Sequence, residues 1–155
     1  MLYAAEGRTD GFLDDSETLA LLAAGLEQAR LDGQRVLVLI PDETRTCPLP
    51  LLFRCLADLI GPRAAKLDFL IALGTHQPLP EERINNLLGI TAEQRAGKYA
   101  TIGVFNHQWQ TEGTFQSLGQ IPAERIAEIT GGLMRQDVPI GVNRMIFDYD
   151  QLVIL

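Results

Sequence analysis

The residues of this chain best suited by type and placement to do chemistry are Asp42, Thr44, Arg45 and His76. The first three lie in Pro41-Asp42-Glu43-Thr44-Arg45, directly after the apolar run Val36 to Ile40. His76 lies in Gly74-Thr75-His76-Gln77-Pro78, directly after the apolar run Phe69 to Leu73. A carboxylate can accept a hydrogen bond from an imidazole and fix its tautomer. A guanidinium can hold a carboxylate or phosphate through two parallel N–H bonds, and imidazole is the natural proton carrier at neutral pH. A helix N-terminus expected near Pro48 to Leu52 would add backbone N–H groups that favour an anion, and Gly74 would let backbone approach a ligand closely. The competing reading is structural: Asp42 caps a turn and pairs with Arg45 as a solvated loop ion pair, while His76 bonds a neighbouring loop.

The other polar candidates are weaker. His107, the only other histidine, follows an apolar segment between Asn106 and Trp109, with no evident partner. Two histidines on separate strands are thin material for a metal site. Asn143 and Arg144 end another apolar run and suit a turn better than a ligand contact. Cys47 and Cys55 are the only cysteines, read as a loop thiol and a small core residue with no zinc framework. The chain contains no Gly-x-Gly-x-x-Gly, no P-loop and no serine nucleophile elbow, which excludes the commonest phosphate cradles and serine hydrolases.

An open α/β sheet would position such groups, because its ligands bind just beyond the carboxyl ends of the strands. From Ser16, apolar residues at 19, 22, 23, 26 and 29 follow helical spacing, with Gly33 beyond them. Val36 to Ile40 reads as a strand buried on both faces, ended by Pro41. Leu52, Cys55, Leu56 and Leu59 mark a second helix stopped by Gly61-Pro62, and Leu67 to Leu73 the next strand. Pro80 to Leu88 is a short helix before Gly89, followed by a helical turn over Thr91 to Ala96. Further on, Tyr99 to Phe105, Phe115 to Leu118, Val138 to Val142 and Gln151 to Leu155 read as strands, with a helix over Pro122 to Leu133. Helices alternating with strands predict an α/β fold, a mostly parallel, Rossmann-like sheet flanked by helices, as one domain over residues 1–155. The chain stops on the last residue of a buried-looking strand, so the reading expects a site that further chain completes.

With 20 acidic against 13 basic side chains the net charge is −7, and the basic residues are scattered, so no electrostatic footprint for nucleic acid exists. Neither a signal peptide nor an apolar stretch of about 20 residues is evident, which predicts a cytoplasmic protein without a membrane partner.

Taken in order, Pro41-Asp42-Glu43-Thr44-Arg45-Thr46-Cys47-Pro48, Gly74-Thr75-His76-Gln77-Pro78, Asn106-His107-Gln108-Trp109 and Val142-Asn143-Arg144 before Asp150 resemble the N-terminal domain of the nickel-dependent lactate racemase family. The resemblance covers about Val36 to Leu155 and rests chiefly on the first two motifs. It implies a 2-hydroxyacid racemase or epimerase that uses a nickel pincer nucleotide (nickel with pyridinium-3,5-bisthiocarboxylic acid mononucleotide). In that family a hydride leaves C2 for the cofactor while a histidine takes the hydroxyl proton. By matching motif, His76 would be one of two acid/base histidines and Asp42 would orient it. Arg45 would bind substrate or cofactor, with Thr44 beside it on the cofactor. The second histidine, the cofactor-bearing lysine and the nickel-binding histidine of the family would follow Leu155, so the 155-residue chain alone would be inactive. Gln77 stands where many relatives have arginine, which opens other hydroxyacids or sugar acids as substrates. Cofactor-making enzymes would be transient partners. The alternative from another class is a non-catalytic anion- or nucleotide-binding module.

Overall fold

Alternating apolar runs and helical stripes build the sheet that carries these motifs. In the computed structural model, which describes residues 3–155, the elements in chain order are α1 (Asp15–Ala29), β1 (Arg35–Ile40), α2 (Leu49–Ile60), β2 (Lys66–Ile71), α3 (Glu81–Leu88), α4 (Ala92–Ala96), β3 (Gly103–Asn106), β4 (Phe115–Ile121), α5 (Ala123–Ile129), β5 (Val138–Asn143) and β6 (Gln151–Ile154), with a 3₁₀ turn at Arg144–Asp148. They fall into two compact units, one running to His107 and including Tyr149–Leu155, the other Gln108–Asp148.

The first unit is the expected α/β fold. Its four strands are all parallel in the order β3-β2-β1-β6. Val36 is level with Leu67, Val38 with Phe69 and Ile40 with Ile71, so these six side chains share one face. That face packs on Phe53, Leu56 and Ile60 of α2 and on Ile84 and Leu88 of α3. Phe53 is fully buried, its ring 5.0 Å from both Phe69 and Tyr99. Gly89 ends α3 at φ +64, and a Cβ there would lie 2.6 Å from Pro50 Cβ, so only glycine closes this helix against α2. α1 is held by a capping box between Asp14 and Glu17, yet none of its residues is fully buried.

On the opposite face, near the start of the strands, lies a buried polar knot. Asp68 is 1 % exposed and accepts hydrogen bonds from the Gly103 N–H at 2.6 Å and from the Tyr149 hydroxyl, with Lys66 Nζ at 2.7 Å. Burial first, and then the Asp68 carboxylate, push the Tyr149 phenol up to about 12. The knot ties β3 and the approach to β6 onto β2. It stands at the amino ends of the strands, away from the motif loops.

Two expectations change. The strand predicted over Tyr99 to Phe105 begins only at Gly103, because the Tyr99 and Ile102 carbonyls accept from the Arg95 guanidinium at 3.1 and 2.7 Å instead of a neighbouring strand. The segments Phe115 to Leu118 and Val138 to Val142 are strands, but they form their own antiparallel pair, β4 with β5, in the second unit. There α5 stops at Ile129, where the Thr130 hydroxyl bonds the Ile126 carbonyl at 2.8 Å and Gly131 and Gly132 both take positive φ. Among the described residues no helix is long and apolar enough to cross a membrane.

Candidate active site

The loops after β1 and β2 meet at the carboxyl ends of the two strands. After β1, Pro41 ends the ladder and Asp42 folds the chain back, its backbone carbonyl accepting from the Arg45 N–H at 3.3 Å. After β2, a turn closes from the His76 N–H to the Leu73 carbonyl at 3.0 Å, with Gly74 inside it at φ +60. A Cβ at Gly74 would meet nothing within 4 Å, so this glycine serves the turn's left-handed conformation and not a close approach.

Asp42 is buried, and its carboxylate is fully engaged. Oδ1 accepts from the Thr44 N–H at 3.0 Å and from the Thr44 hydroxyl at 2.5 Å, and Oδ2 lies 2.5 Å from His76 Nδ1. The Thr44 hydroxyl, with the His76 imidazole behind it and burial opposing both, holds the Asp42 carboxyl below its ordinary range. An ionised carboxylate only accepts, so the ring proton sits on Nδ1. In the neutral imidazole Nε2 then keeps its lone pair, and the ring is half exposed. This is the geometry of a positioned general base.

Asn106 supplies a support that sequence reasoning missed. At the end of β3 its side-chain amide accepts from the Leu79 N–H and donates to the Leu79 carbonyl, each at 2.9 Å. Asn106 anchors the Leu79 end of the loop, and the buried Leu73 side chain holds the other end. The available signal was a polar residue at a strand end beside the more conspicuous His107.

Arg45 lines the same cavity as His76 and Asp42, a cleft of about 540 Å³ over the ends of β1, β2 and β6. Asp42 is turned to Thr44 and His76, so the loop ion pair with Arg45 does not form, and the guanidinium makes no ion pair among the described residues. That leaves a free cation for a carboxylate or phosphate. The α2 N-terminus contributes less than expected. Pro50 has no N–H, the Leu51 and Leu52 N–H groups both bond the Pro48 carbonyl at 3.1 Å, and no residue from Thr46 to Leu52 lines the cleft.

The remaining candidates lie elsewhere. His107 bonds the Ile71 carbonyl through its backbone N–H at 3.1 Å and does not line the cleft. Asn143 Oδ1 accepts from the Met145 N–H at 2.9 Å and opens the 3₁₀ turn. Cys55 is buried, and its burial pushes the thiol up, so it is a core residue; Cys47 is a half-buried thiol of the loop before α2. Among the described residues no three His, Cys, Asp or Glu side chains come together to hold a metal ion.

Residues 19–155 match the lactate racemase N-terminal domain. A crystal structure of a protein from Thermotoga maritima superposes with a TM-score of 0.73 at 27% identity, over 92% of this chain and 33% of that one. The chain thus spans about a third of that protein's length. No curated protein matches the sequence.

Proposed function

The chain belongs to the lactate racemase N-terminal domain family, and from that premise we propose that it is the acid/base half of a racemase or epimerase acting on small 2-hydroxyacids. The observation that carries the reading is the buried, ionised Asp42 holding the Nδ1 proton of a half-exposed His76 beside the unpaired Arg45.

The residues fit the anionic part of a nickel pincer nucleotide, the group the family resemblance implies. Arg45 offers a guanidinium without a protein counter-ion in a cleft of about 540 Å³, with Thr44 on the same loop. When bound, that group supplies the hydride acceptor and donor for C2. The chain's own residues do the rest. Arg45 holds the substrate carboxylate or the cofactor's anionic end bidentately and sets the orientation of C2. Nε2 of His76 accepts the proton of the 2-hydroxyl as the C2–H bond breaks and returns it when that bond re-forms. Asp42 keeps the tautomer fixed and stabilises the imidazolium between those steps, while Thr44 keeps Asp42 charged. We place this chemistry in the cytoplasm, with cofactor-making enzymes as transient partners.

The test is nickel content, cofactor mass and racemisation on the full-length protein, co-produced with the cofactor-making enzymes. Stoichiometric nickel with a pyridinium-derived adduct and interconversion of 2-hydroxyacid stereoisomers is the expected result. A folded protein that takes up neither would leave a non-catalytic anion-binding module, for which Arg45 in the open cleft is the supporting feature.

A further inference from the structure

Among the described residues, two side-chain contacts lead out of the segment Asp42 to Arg45. One is Asp42 on His76, which joins the segment to another exposed loop. The other is Glu43 on Arg83, which joins it to a helix: Arg83 Nε lies 3.1 Å from Glu43 Oε2, and a second guanidinium nitrogen meets Oε1. We propose that Glu43 and Arg83 are a positioning pair for the His76 base, holding Asp42 at the imidazole and keeping water from the bond between them. The proposal rests on the racemase reading for its effect on turnover, and on geometry alone for its effect on the His76 ring.

Orientation comes from the fork. Two N–H bonds from one guanidinium fix the angle of the carboxylate as well as its distance. Arg83 is itself held in place, since α3 buries the adjacent Ile84 along with Leu88 and closes against α2 at Gly89. Glu43 stands between Asp42 and Thr44, so fixing it restrains the backbone on either side. The bonds within the loop, from Thr44 to Asp42 Oδ1 and from the Arg45 N–H to the Asp42 carbonyl, give the turn its shape but not its place on the sheet. The pair does not act through charge, because a guanidinium and a carboxylate in contact leave little net field at His76.

Shielding is the second contribution. A smaller cavity of about 190 Å³ reaches the same Asp42–His76 pair, and Glu43 and Arg83 form part of its wall beside Leu73 and Leu79. Parting the fork opens that wall and admits water to a carboxylate that is now buried. Water then competes with the imidazole for Oδ2. The two side chains are themselves 40% and 52% exposed, and an ion pair so open to solvent adds little to stability. Its loss should therefore show in the site and not in the melting temperature.

The test makes Arg83→Gln and Glu43→Gln, singly and together, in the full-length protein. Imidazole nitrogen NMR of the cofactor-free form reads exchange of the His76 Nδ1 proton with water, its signals assigned by their absence in His76→Gln. Values of kcat and KM for a 2-hydroxyacid are read on the nickel-loaded form. Each single variant should speed that exchange and lower kcat about ten-fold, with KM changed less than about two-fold and the melting temperature kept. The double variant should be no worse than either single, as two residues acting as one unit require. Exchange as slow as in the wild type, losses that multiply in the double variant, or a large fall in melting temperature would overturn the pair. Faster exchange in the variants of a protein whose wild type turns over no 2-hydroxyacid would uphold the pair and overturn the racemase reading alone.

Discussion

His76 Nδ1 and Asp42 Oδ2 stand 2.5 Å apart although the two residues are 34 positions apart in the chain. The two side chains differ sharply in exposure, 54% for His76 against 6% for Asp42. A carboxylate out of reach of water spends its acceptor capacity on the protein, so the exposed ring is held by a partner that solvent cannot easily replace.

That asymmetry predicts different consequences for the two substitutions. In the full-length protein His76→Ala should lower 2-hydroxyacid turnover at least ~100-fold, the usual contribution of a general acid/base. Asp42→Asn keeps the shape but offers an amide that can present its N–H to the imidazole and reverse the tautomer. It should cost a similar factor with substrate binding little changed. Steady-state kinetics at saturating substrate reads both, and near-wild-type turnover in His76→Ala would remove it from the mechanism.

Arg45→Ala should weaken binding of the acid or of the cofactor's anionic end by ten-fold or more, about 1.4 kcal/mol or above. Because Arg45 makes no ion pair within the described residues, its loss should leave thermal stability unchanged. A large fall in melting temperature would assign Arg45 to the fold instead.

Asn106→Ala removes both amide bonds to Leu79. At roughly 0.5–1.5 kcal/mol for each bond, the protein should lose about 1–3 kcal/mol by chemical denaturation. Turnover should fall as well, since the loop carrying His76 loses one anchor. Unchanged turnover in a destabilised protein would restrict Asn106 to folding.

Acid stability follows from two carboxyls. Asp42, held down chiefly by the Thr44 hydroxyl, and Asp150, drawn down to about 2 chiefly by the Arg35 guanidinium, both ionise in the fold below the ordinary 3.8. A depressed carboxyl stabilises the fold at pH above its unfolded value, and that stability disappears as pH falls through the folded value. The decline should therefore start near pH 3.8 and, for Asp150, finish near pH 2. Asp150→Asn should flatten this part of the profile, which denaturation midpoints measured across that window will show.

Much of the first unit was legible because its signals are local. Val36 to Ile40 is an unbroken branched apolar run, Gly61-Pro62 stops a helix, and the polar clusters begin where the apolar runs end. The Asp42–His76 approach was also legible, since parallel neighbours bring their carboxyl ends together. What stayed hidden depends on contacts distant in sequence. Nothing near Tyr99 announces that Arg95 will take two carbonyls and delay β3. The availability of a helix N-terminus at Pro48 depends on how Leu51 and Leu52 spend their N–H groups. The separate pairing of β4 with β5 was equally invisible, because alternation in sequence does not say which strands become neighbours.

β6 lies against β1, on the side away from β2, and the Arg35–Asp150 bridge at the start of this pairing spans 115 residues. During synthesis β1 and β2 can associate as soon as α2 connects them, but the other border of β1 must wait for the end of this sequence to emerge. For that interval the nascent chain carries a bare strand of branched apolar residues, open to pairing with any passing extended segment. Closing the sheet late over so long a loop also makes folding slow for a domain of this size. A ribosome stalled before Gln151 would hold the motif loops beside a sheet still missing one wall of the larger cleft, to which Ile154 and Leu155 contribute.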